Sequence, residues 1–83
     1  MRILTINEAV ATRIVKLLNE KKMTQYRLEK NSFIAHGAMN NILACKNKTV
    51  TLTTIFRLAK GFNMTYLEFL DDDIFRSEEL ELE

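Results

Sequence analysis

TQYRLEKNSFIAHGAMNNILACK, residues 24–46, is the stretch that arranges the rest of the chain. It reads as two short helices joined by a tight turn, the first over about residues 24–30 and the second over about residues 36–44. Leu28, Ile34, Met39 and Ile42 can face one interior. That choice leaves His36, Gly37, Asn40 and Asn41 on the outward side of the second helix. Thr24 is a good N-cap for the first helix, Asn31-Ser32 marks its end, and Phe33 and Ile34 fill the turn.

Upstream, Thr5-Ile6-Asn7-Glu8 has capping-box form and predicts a helix to about Lys21. Val10, Ile14, Leu17 and Leu18 give it one buried stripe, while Lys16, Glu20, Lys21 and Lys22 read as a solvated face. Residues 1–5 read as extended, with Ile3 and Leu4 serving either as a flap on the core or as a contact between copies. Downstream, Lys46-Asn47-Lys48-Thr49-Val50 is a polar loop, and Thr51 caps a fourth helix. Its expected stripe is Leu52, Ile55, Phe56, Ala59 and Phe62. Gly61 and Asn63 lie where that helix should stop, Asn63 because it tolerates a left-handed backbone. Thr65-Tyr66-Leu67-Glu68 repeats the capping-box pattern and opens a short fifth helix carrying Leu67, Phe69 and Leu70.

The 83 residues suit one small domain, and 47% hydrophobic content allows a modest core. Two Gly and no Pro leave few breakers, so the chain should be nearly all helix. Cys45 is the only cysteine, which excludes an intrachain disulfide and fits a reducing cytosol. The first ten residues lack the apolar run of a signal peptide, and no stretch reaches the ~18 apolar residues of a spanning helix. These features predict a soluble, cytoplasmic protein.

The net charge of +1 conceals a split. Residues 1–70 carry eleven Lys/Arg and four Glu, a net of +7, and residues 71–83 carry seven Asp/Glu and one Arg, a net of −6. The expected organisation is therefore a basic domain over residues 1–70 and an acidic tail over residues 71–83. Ile74, Phe75, Leu80 and Leu82 make the tail more apolar than pure disorder predicts, so it would dock on the core or on a second subunit.

Catalysis finds little support. One His and one Cys cannot build a zinc site, which needs about four ligands. No Gly-rich phosphate loop and no nucleophile with a paired base is present. Nothing in the sequence requires a cofactor. A short helix presenting small and amide side chains, flanked by Lys and Asn, instead suits the floor of a DNA major groove. Asn can pair bidentately with adenine N6 and N7, His36 can donate to guanine or to a phosphate, and Lys46 and Lys48 suit phosphates.

The chain resembles the Xre family of phage-repressor-like helix-turn-helix regulators, the Cro/C1 type, over about residues 12–70. The likeness rests on Leu17-Leu18, Thr24-Gln25, Leu28, Ile34, Met39, Ile42, the helix after Thr51, and Gly61-Phe62-Asn63-Met64-Thr65-Tyr66-Leu67-Glu68-Phe69-Leu70. It implies a five-helix, lambda-repressor-like domain that binds operator DNA, usually as a homodimer, in a bacterium or a phage. It also implies that residues 36–44 form the recognition helix, with His36, Gly37, Asn40 and Asn41 at base edges. Thr24, Gln25, Lys46, Asn47, Lys48 and Thr51 would meet the phosphates, and Gln25 would also brace the recognition helix. Four features depart from the family pattern: Glu29 for a small Ala, Phe33 for a turn Gly with positive φ, Ala35 for a hydroxyl cap, and Leu43 and Cys45 for a Glu and a Gly. By helical phasing Leu43 should be exposed, which makes it a candidate interface residue. The resulting expectation is a small transcriptional regulator, a repressor, that binds double-stranded DNA. The alternative is a protein-interaction module, an antitoxin or adaptor, acting through the acidic tail.

Overall fold

Thr5 opens the first helix as its pattern predicts. Its hydroxyl accepts from the Glu8 N–H at 3.0 Å, and the Glu8 carboxylate accepts from the Thr5 N–H at 3.0 Å. This closed capping box starts α1, Ile6–Lys21. In the computed structural model, which describes residues 4–47, 49–76 and 80–81, four helices follow. They are α2, Gln25–Ser32; α3, His36–Leu43; α4, Leu52–Gly61; and α5, Tyr66–Leu70, with a 3-10 turn at Asp73–Phe75. The fold is all-α, and among the described residues the only β pairing is an isolated parallel bridge between Thr5 and Glu81. Expectations that rest on Ile3, Lys48, Leu82 and residues 77–79 and 83 lie outside the described residues.

Threonine begins four of the five helices. Thr5, Thr24, Thr51 and Thr65 each hold an extended backbone, and each hydroxyl accepts from the N–H three residues on. This satisfies one of the donors that a helix start leaves open. The helix ends use left-handed residues without glycine: Lys22, Phe33, Cys45 and Asn63 have φ of 52° to 59°. Phe33 therefore adopts the strained state expected of it, at about 1–2 kcal/mol.

The core collects Val10, Ile14 and Leu17 of α1, Leu28 of α2, Ile34 of the turn, Met39 and Ile42 of α3, and Phe69 of α5. α4 is gripped by α2 on one side and α5 on the other, while α1 packs on α3. This placement corrects the stripe expected for α4. Leu52 and Phe56 are 65% and 46% exposed, and Leu58, absent from the expected stripe, is wholly buried with Ile55, Ala59 and Phe62. Two neighbours reach α4 at once, so its inward face centres on Leu58 and Ala59, and Phe56 is left to stack on Tyr66 at 4.3 Å. Leu43 is a second correction. It is half-buried against the core, because the contact of α3 with α1 extends the Met39 and Ile42 stripe by one position.

Arg13 fastens the C-terminal end of α5 to α1. It is 7% exposed, and its Nε and Nη2 donate to the carbonyls of Phe69 and Glu68 at 2.8 and 3.0 Å. Its Nη1 donates to Asp72 Oδ2 at 3.2 Å, and Lys16 Nζ reaches the same oxygen at 2.8 Å. A cation here satisfies carbonyls that a helix end leaves open and complements its dipole. Phe75 packs on the core with its ring 6.2 Å from Phe69, and Ile74 is half-buried. Glu81 exchanges backbone hydrogen bonds with Leu4 and Ile6. The described part of the tail thus docks on α1, α5 and the N-terminal segment.

Candidate nucleic-acid interface

α3 is short and rests on two buried side chains, Met39 and Ile42, with Leu43 at the edge. His36, Gly37, Ala38, Asn40 and Asn41 are exposed and share the opposite face. A methyl added at Gly37 would find no atom within 4 Å, so this face is open at its N-terminal end. Ala35 gives α3 no side-chain cap, so the first N–H groups of this helix point outward without a hydroxyl partner. The four residues expected at base edges are therefore brought together on one exposed surface.

They are not equally free. Glu29 of α2 is 9% exposed and lies beneath the start of α3. His36 Nδ1 donates to its Oε2 at 2.8 Å, and Gln25 Nε2 donates to the same oxygen at 2.8 Å. Gln25 Nε2 also donates to Asn40 Oδ1 at 2.8 Å, and Asn40 Nδ2 meets His36 Nε2 at 3.2 Å. The four side chains close a ring. Donation from Gln25, followed by that from His36, holds the Glu29 carboxyl below its ordinary value, so it stays ionised at neutral pH. Among the described residues nothing hydrogen-bonds the Asn41 side chain, which keeps its whole amide for an outside partner.

The residues expected at phosphates surround this face in sequence. Thr24 and Thr51 are exposed N-caps whose hydroxyl oxygens accept from Arg27 and Thr54 N–H. Lys46 is exposed just beyond α3, and Asn47 is half-buried, its carbonyl accepting from Asn7 Nδ2 at 2.6 Å. That bond ties the α3–α4 loop to the start of α1. Gln25 is half-buried, with its amide N–H groups in the ring, and Lys48 lies outside the described residues.

Glu29 is the participant that sequence reasoning did not place in the site. Its signal was present: a carboxylate four residues after Gln25 and seven before His36 can reach both only if α2 and α3 cross at its position. That crossing is a property of the folded chain. Arg13, one of the eleven Lys/Arg of residues 1–70, likewise has a buried side chain.

Among known families, the model of the Cro/C1-type HTH DNA-binding domain matches residues 3–73 of this chain. No curated protein and no solved structure matches it.

Proposed function

The chain belongs to the Cro/C1-type HTH DNA-binding domains, and from that premise we propose that it is a small transcriptional regulator, a repressor, without catalytic activity, that reads operator DNA with α3 in the major groove. The observation that carries this reading is the outward face of α3, where His36, Gly37, Asn40 and Asn41 stand exposed together beside Lys46. Asn41 reads a base with its free amide, and Asn40 lies next to it. Thr24, Thr51, Lys46, Asn47 and Lys48 hold phosphates and set register, with Gln25 bracing α3 from α2. Two copies related by a two-fold axis present their α3 helices about 34 Å apart to a near-palindrome. Residues 1–70 make the DNA contacts, and the acidic residues 71–83 form a C-terminal tail. The protein works in the cytoplasm of a bacterium or of a phage host; no helix among the described residues is long and apolar enough to cross a membrane.

Selection from a random duplex library, followed by salt titration on the enriched site, tests this reading. A near-palindrome with steep salt dependence is expected. Asn41→Ala then costs about 1–3 kcal/mol on the selected site and relaxes one base position, whereas Lys46→Ala weakens selected and random duplexes alike. No enrichment, or equal losses for both variants on random DNA, overturns it.

A further inference from the structure

The ring of Gln25, Glu29, His36 and Asn40 has a direction, and one residue sets it. An ionised carboxylate can only accept, so the nitrogen facing Glu29 Oε2, His36 Nδ1, must carry the imidazole proton. Gln25 must likewise turn its NH₂ toward Glu29, and its second N–H then meets Asn40 Oδ1. Asn40 is thereby oriented with its NH₂ toward His36, and in neutral imidazole the Nε2 it meets is a bare acceptor. Every donor faces an acceptor. Turning over either amide would set N–H against N–H or oxygen against the carboxylate.

We propose that Glu29, buried beneath the exposed face of α3, is a positioning residue that sets the hydrogen-bond polarity of His36 and Asn40 and so decides which base they accept. The inference rests on the DNA-binding reading above. With Glu29 present, His36 offers no donor at Nε2 and rejects guanine, whose major-groove edge shows only the N7 and O6 acceptors. Asn40 retains one N–H and one lone pair, the pairing that adenine N7 and N6–H₂ take. Without the carboxylate nothing holds the proton on Nδ1. It can move to Nε2, and that N–H, unmatched by the Asn40 NH₂ it faces, then becomes a donor to guanine.

Glu29→Ala and Glu29→Gln separate this role from charge and packing. Both remove a negative charge, which raises affinity for every duplex alike. Only Glu29→Gln keeps a carbonyl oxygen where both His36 and Gln25 donate. The tautomer is read from imidazole ¹⁵N shifts of the full chain, taken on the alkaline plateau where they no longer change with pH. Base preference is read from duplex selection. The wild type and Glu29→Gln should show the proton on His36 Nδ1. Glu29→Ala should gain the Nε2–H form and accept guanine about tenfold more readily at one base position, with the other positions unchanged. A wild-type proton on Nε2, or a Glu29→Ala site selected identically to that of the wild type, overturns the proposal. If the wild type selects no sequence at all, the base-reading role falls with it. The tautomer result then shows whether the ring or the DNA-binding reading was at fault.

Discussion

Asp72 does at residue scale what an acidic tail residue is not expected to do. Its side chain is nearly covered, 12% exposed, and it accepts from the Ile74 N–H, from Lys16 and from the buried Arg13. The Ile74 N–H, followed by Lys16 and Arg13, holds its carboxyl below the ordinary Asp value. Asp72→Asn should cost about 2 kcal/mol in urea unfolding at pH 7, because Arg13 loses its countercharge. The cost sits below that of breaking a fully buried pair, since the Phe69 and Glu68 carbonyls still hold the guanidinium. A depressed folded pKa means that the stabilisation is complete above the unfolded value, near 4, and is lost as pH falls through the folded value. The urea midpoints of the wild type and Asp72→Asn should therefore converge as pH drops below about 4. A gap unchanged at pH 3 would assign the loss to shape instead of charge. Glu29 and Glu68, whose pKa values are also lowered, steepen the acid loss in both proteins.

At the scale of elements the two glycines have opposite meanings, and neither has a positive φ. A Cβ on Gly61 would come within 2.9 Å of Leu28 Cδ1 and of Ser32 Cβ, and within 3.3 Å of Ser32 Cα. The missing side chain is what lets α4 approach α2. The Asn31 amide also reaches the Gly61 carbonyl across that contact, at 3.4 Å. Gly61→Ala should push the helices apart and cost about 1–3 kcal/mol. Gly37→Ala meets nothing within 4 Å and should stabilise α3 by up to about 1 kcal/mol. Thermal unfolding of the two variants checks both signs. A stabilised Gly61→Ala would mean that α2 and α4 can yield.

For the whole molecule, the charge split and the docking of the tail pull in opposite directions. Removing residues 71–83 takes away a net −6 and leaves a domain of net +7. It also strips Asp72 from Arg13 and Phe75 from Phe69. The truncated chain should unfold at lower urea, yet bind any duplex more tightly at low salt, by on the order of tenfold near 50 mM. The binding gain should fade toward physiological salt, where charges about 8 Å apart or more are screened. Melting and fluorescence titration at two salt concentrations measure both. A truncated chain as stable as the whole would show that Asp72 and Phe75 do not support the fold.

The sequence alone determined the helices, their starts and most of the core. These depend on local chemistry: four threonine caps, two capping boxes, and apolar spacing that only a helix satisfies. It also determined which side of α3 faces outward, because Met39 and Ile42 leave little choice for an eight-residue helix. Other features were decided only when helices met. Leu58 replaced Leu52 and Phe56 inside because α4 is held from two sides, and Leu43 was covered because α1 lies against it. Arg13 became a buried clamp because α5 ends over it. Glu29, Gln25, His36 and Asn40 became one unit because α2 and α3 cross there. Local spacing fixes which residues share a face of one helix, but which charges and amides meet across two helices is set by their packing.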